Sequence, residues 1–136
     1  MNEPSPSPSP PIPTSDIPTP SRCYVDFCLV PVGTSTPSVA QEVAAVQRLL
    51  LASGLKCTMH SAGTTVEGSW DEVMRVVGQA HTVVHEMGVV RVQTSMRAGT
   101  RTDKEQTAEQ KVQRVEEILA APQQEQEQEQ GEERPT

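Results

Sequence analysis

Between Cys23 and Arg97 the chain alternates between two hydrophobic periods, and the order of that alternation limits the fold to very few choices. Cys23 to Val32 (CYVDFCLVPV) places Cys23, Val25, Phe27 and Leu29 on one side of an extended segment and Tyr24, Asp26 and Cys28 on the other. A helix then follows, with Thr36 as its expected cap and Pro37 at its first position. Val39, Val43, Val46 and Leu50 form its apolar stripe, and Gly54 is its stop. Leu55 to Ser61 alternates again, with Leu55, Cys57 and Met59 inward and Lys56, Thr58 and His60 outward. Ala62-Gly63 turns the chain into Thr64 to Gly68, a hairpin. Ser69-x-x-Glu72 marks the start of a second helix, buried along Val73, Val76, Val77, Ala80, Val84 and Met87 and closed by Gly88. Val89 to Arg97 is a fourth strand, with Val90, Val92, Thr94 and Met96 on one side, and a last helix spans about residues 107–120 with Ala108, Val112, Val115 and Leu119 on one stripe. The order β-α-β-β-α-β plus a helix predicts an α+β ferredoxin-like sandwich, a four-stranded antiparallel sheet with two helices on one face.

The segments on either side have a different composition. Eight of the 12 prolines lie in residues 1–21, so that stretch reads as a disordered, partly polyproline II leader. Residues 122–136 alternate Gln and Glu with no apolar residue to bury, a solvated low-complexity tail. The middle, residues 22–121, holds ten basic against eleven acidic residues, and most of the chain's net charge of −7 belongs to the two flanks. About 100 nearly neutral residues make one domain with one modest core.

Charge and composition exclude several functions. A near-neutral domain with acidic flanks lacks a phosphate-neutralising surface, and three aromatic residues (Tyr24, Phe27, Trp70) leave little to stack on bases, so nucleic acid is not expected as a partner. No apolar run reaches the roughly 18 to 20 residues of a membrane span, and the leader has the pattern of neither a signal peptide nor a mitochondrial presequence, which points to the cytosol and away from the membrane. Cys23, Cys28 and Cys57 are odd in number without a Cys-x-x-Cys, and read as small buried residues of a reducing compartment.

The functional question concerns the sheet face that the two helices leave open. Strand parity puts Tyr24, Asp26, Lys56, Thr58, His60, Thr65, Glu67, Arg91, Gln93 and Ser95 on it, and a cross-strand pair of Asp26 with Arg91 is one expectation. Such a face is either solvated, packed on another subunit, or the wall of a polar pocket. His81 and His85 have the i, i+4 spacing of a two-histidine metal site but no evident third ligand, so exposed helix histidines and no metal are expected. Gly33-Thr34-Ser35-Thr36 could offer donors to an anion, but capping alone explains it. No cysteine stands beside a basic residue at a helix start, and no nucleophile with a placed base is visible, so the chain is not expected to be an enzyme or to carry a cofactor.

Four stretches, PVGTSTPSVA (31–40), SGLKCTMHSAGTTVEGSWDEVM (53–74), HEMGVVRVQTSMRAGTRTDK (85–104) and EQKVQRVEEIL (109–119), resemble in order and spacing the small thiamine-binding-protein-like family of bacteria, archaea and fungi. The most specific parts are the P-x-G-T-x-T-P-S turn and the G-T-x-x-E-G hairpin. The resemblance implies a ferredoxin-like monomer that pairs through its sheets into a homodimer or homotetramer. It also implies binding of thiamine or its hydroxymethylpyrimidine moiety by at least some members, with no established catalysis. A cationic thiazolium would call for a carboxylate and an aminopyrimidine for paired donors and acceptors. On strand parity and loop placement the expected ligand residues are Asp26 and Glu67 for charge and Thr34, His60 and Gln93 for hydrogen bonds. The alternative is an interaction module whose open face only mediates oligomerisation.

Overall fold

The computed structural model describes residues 2–105 and 107–121. Four strands, β1 (Cys23–Val32), β2 (Lys56–His60), β3 (Gly63–Gly68) and β4 (Arg91–Gly99), form an antiparallel sheet in the order β2-β3-β1-β4. Helices α1 (Ala40–Ser53) and α2 (Trp70–Glu86) cross between strands, and α3 (Ala108–Ala120) follows β4. This is the ferredoxin-like α+β arrangement that the alternating periods predict. The expected tail lies outside the described residues.

The core sits between the sheet and the first two helices. Val25 and Phe27 of β1, Val66 of β3, Val46 and Leu50 of α1, and Val73, Val76, Ala80 and Val84 of α2 are buried in one cluster. Their spacing is period 2 on the strands and 3.6 on the helices, so each element contributes one dry face. Ser69 caps α2, its hydroxyl accepting from the Glu72 N–H, and a left-handed Gly54 ends α1.

Three expectations about burial and caps are corrected. Met59, Met87 and Met96 lie on the predicted inward sides yet are exposed, Met59 to 62%. The two helices touch the outer strands β2 and β4 over only part of their length, so these methionines stay open to solvent. The first helix starts at Ala40, with no side-chain cap at Val39. The Thr36 hydroxyl donates to the Ser38 carbonyl instead, and Ser38 Oγ accepts from the Ala40 N–H at 3.4 Å. The fourth strand begins at Arg91, two residues later than its apolar pattern, because Val89 is held by α2: its carbonyl accepts a hydrogen bond from His85 Nδ1 at 2.8 Å.

The third helix behaves differently from the other two. Thr107 and Gln110 form a reciprocal capping box, but Val112, Val115 and Leu119 are exposed, so its apolar stripe is not part of the core. It is attached by its first turns to the open sheet face. Glu67 Oε1 accepts from the Ala108 N–H at 2.6 Å, Lys56 Nζ donates to Glu109 Oε2 at 2.9 Å, and Lys111 Nζ stands 3.8 Å from the centre of the Tyr24 ring.

Candidate functional site

The hairpin β2-β3 is shorter than β1, and that difference makes a cavity. β3 pairs with β1 only from Cys23 to Phe27, whereas β4 pairs with it from Tyr24 to Val32. Beyond Phe27 the β3-side edge of β1 therefore has no strand partner among the described residues. A cavity of about 240 Å³ opens there, walled by β1 residues Phe27 to Pro31, by Val39, Val43, Val46 and Gln47 of α1 and the residue before it, and by the turn region Met59 to Thr64. Its walls are mostly apolar, and Phe27 is the aromatic residue among them. Polar groups come from two sides. Gln47 Nε2 donates to Thr64 Oγ1 at 2.7 Å, and His60 stands at the hairpin end.

His60 carries the link to the open face. Asp26 is paired with Thr65 and Thr65 with Thr58, so His60, two residues further along β2, reaches diagonally across β3 beside the side-chain-free Gly63. Its Nε2 lies 2.8 Å from Asp26 Oδ1, with the two side chains 40% and 48% exposed. A Cβ at Gly63 would fall 2.3 Å from the Phe27 carbonyl oxygen, so this close approach of β3 to β1 admits only glycine without movement. The expected partner of Asp26 was Arg91; the register instead sets Arg97 opposite Asp26 and Arg91 opposite Val32.

The five expected ligand residues do not gather at one point. Asp26 and His60 meet. Glu67 lies at the other end of the face, its side chain 5% exposed, holding the N-terminus of α3 and standing 4.0 Å from Lys56. It pairs in register with Lys56, four residues from His60 along β2, a separation of about 13 Å at strand rise. Thr34 donates its hydroxyl to the Thr36 carbonyl in the loop before α1, and Gln93 is set opposite Val30 on β4, across β1 from the cavity and not in its wall. Gln47 was not foreseen. It sits at i, i+4 from Val43 and i+1 from Val46, so a polar residue inside the apolar stripe was the available signal.

The remaining candidates find structural roles. His81, expected to be exposed, is half-buried with Nε2 2.6 Å from Thr94 Oγ1, because α2 leans on β4 there. Among the described residues no group of three or more His, Cys, Asp or Glu is arranged to hold a metal ion. The three cysteines are free thiols, Cys23 buried and the others half-buried, and burial pushes the Cys23 and Cys57 thiols up, away from the reactive thiolate. No helix of the described residues is long and apolar enough to cross a membrane.

Comparison with known proteins agrees with this architecture. The sequence model described as thiamine-binding protein matches residues 25–116. A UPF0045 protein of the fungus Eremothecium gossypii is 56% identical over 96 residues, covering 71% of this chain and 91% of that protein. A UPF0045 protein of Synechocystis is 52% identical over 92 residues, covering 68% and 75%. Among solved structures, a hypothetical protein of Methanocaldococcus jannaschii superposes with a TM-score of 0.65 at 29% identity, covering 71% of this chain and 98% of that one. A Thermotoga maritima protein described as a candidate for thiamine biosynthesis or salvage has a TM-score of 0.60 at 20% identity, covering 69% and 98%, which is a likeness of fold. With its strand order, its two turn motifs and a match across the whole sandwich, the chain belongs to the thiamine-binding protein family.

Proposed function

We propose that the protein is a non-enzymatic homo-oligomer that binds a small molecule of thiamine type, with the pyrimidine ring in the cavity beside β1. The cavity carries the reading. At about 240 Å³ it lies below the usual range for drug-sized ligands and suits one substituted ring better than two. Gln47 and Thr64 offer the paired donor and acceptor that an aminopyrimidine needs, Phe27 offers a ring edge or face, and His60 and Asp26 stand where a cationic second ring would leave the mouth. Thr34 and Gln93 flank the same end of the sheet, and Glu67 serves the ligand only indirectly, by fixing α3 at the far end of the open face. The family model is described as that of a binding protein, which supports a binding role over a catalytic one.

Thermal unfolding with added hydroxymethylpyrimidine or thiamine tests this. A ligand present at 100 times its dissociation constant adds about 2.7 kcal/mol to stability, which raises the midpoint of a domain of this size by roughly 10 °C or more. An unmoved transition with both compounds contradicts the proposal.

A second reading has its own observation. The charged groups of the open face are engaged with one another, Asp26 with His60 and Glu67 with α3, which suits a face that only joins subunits. Under it, replacing Asp26 changes the sedimentation behaviour and ligand binding is absent in every variant.

A further inference from the structure

We infer that Thr19 is a phosphoacceptor for a proline-directed serine/threonine kinase, and that its phosphorylation detaches the proline-rich leader from the start of α2. Four Ser/Thr-Pro dipeptides lie in the first 20 residues: Ser5-Pro6, Ser7-Pro8, Ser9-Pro10 and Thr19-Pro20. Each hydroxyl residue is exposed and stands outside helix or strand, and the following proline fixes the backbone and removes its N–H. An extended segment that can enter a cleft is the substrate form such a kinase needs; the three serines have it as they stand, and Thr19 takes it when its exposed contacts to α2 open.

Thr19 differs from the three serines in being tied to the folded domain. Its Oγ1 donates to Asp71 Oδ1 at 2.9 Å, and the carbonyl of Pro20 accepts from the Trp70 N–H at 3.2 Å. These two bonds join the leader to the first turn of α2. In the transfer, the γ-phosphoryl of ATP moves to Thr19 Oγ1, the bond to the β-phosphate breaks and ADP leaves, while the hydroxyl proton passes to the catalytic carboxylate of the kinase. The product cannot donate to Asp71, and it brings a charge of about −1.5 to −2 at neutral pH against that carboxylate.

A helix N-terminus attracts anions, but this one is already acidic. Asp71 and Glu72 already place two carboxylates in the first turn, and neither is in a described ion pair. Two of the N–H groups are also taken, that of Trp70 by Pro20 and that of Glu72 by Ser69. The phosphate meets like charge with few donors left, and repulsion wins.

Trp70 is the chain's single tryptophan and shares the junction, so it reports the event. The full chain is incubated with a proline-directed kinase and ATP, phosphorylated positions are mapped by mass spectrometry, and Trp70 emission is followed. Phosphate on Thr19 with a red shift of Trp70 is expected in the wild type and in the Ser5→Ala/Ser7→Ala/Ser9→Ala variant. In Thr19→Val the same treatment modifies the serines without a further shift. The inference is overturned if Thr19 stays unmodified while a control Thr-Pro peptide reacts, if phosphorylated Thr19 leaves the emission unchanged, or if Thr19→Val shifts equally on treatment.

Discussion

His60 Nε2 lies 2.8 Å from Asp26 Oδ1, a contact that reaches from the edge strand β2 across β3 to the central strand β1. Both side chains are more than a third exposed, so water screens the pair and its contribution to folding is at most about 1 kcal/mol. Under the proposed function its value to a ligand would be larger, since a bound cation near the cavity would share the carboxylate in a drier setting. Asp26→Ala should leave the unfolding midpoint within a few degrees of wild type and weaken ligand binding by roughly tenfold, about 1.4 kcal/mol. Chemical denaturation and ligand titration on the same variant separate the two effects.

Glu67 holds α3 through a buried carboxylate at a helix N-terminus, a charge-assisted bond with little water to replace it. Glu67→Ala is expected to destabilise by about 1–3 kcal/mol. The amides of Ala108 to Lys111 should exchange faster in this variant while those of β1 keep their relative order, and Glu67→Gln, which retains an acceptor, should fall between. Native-state hydrogen exchange measures all three.

Gly63→Ala tests the close approach of β3 to β1. The added methyl meets a backbone oxygen that cannot rotate away, so a loss of about 1–3 kcal/mol is expected. The hairpin end should shift with it, and His60 should lose its hold on Asp26. An unfolding curve identical to wild type would show that the strands are free to move apart here.

Asp103 sits beside Arg101, whose guanidinium holds the carboxyl well below its ordinary range, at about 2; Arg101 Nη2 donates to Asp103 Oδ2 at 2.7 Å. A depressed carboxyl pKa supports the folded form above its unfolded value near 4 and loses that support as pH falls towards 2. NMR titration should place the Asp103 midpoint near 2 in the wild type and return it towards the ordinary value in Arg101→Gln. Both groups are exposed, so the effect on overall stability is small.

Period and parity were enough for the sandwich. The alternation of Val25, Phe27 and Val66 and the stripe of Val73, Val76, Ala80 and Val84 each assign a residue to one face, and the core follows. The same rules placed Asp26, His60 and Glu67 together on the open face, but not what each would touch. Parity names a face and carries no information on distance along it, so the separation of Glu67 from His60 appears only with the register. The use of Glu67 depends on Ala108, 41 residues away, through a helix that folds back on the sheet. The exposure of Met59 and Met96 depends on how far two helices reach over four strands, which no local pattern records. The cavity is the clearest case. It comes from a difference in length between β1 and its neighbour, and its polar residue Gln47 reads locally as one irregular position in an apolar stripe.

Isothermal titration calorimetry of the assembled wild-type protein tests most directly whether the cavity beside β1 takes one pyrimidine-sized ring per chain. The expected result is saturable heat with hydroxymethylpyrimidine at one equivalent per chain, reduced in Gln47→Ala. Absence of heat with both hydroxymethylpyrimidine and thiamine, in a sample shown to be fully oligomeric, would contradict the account.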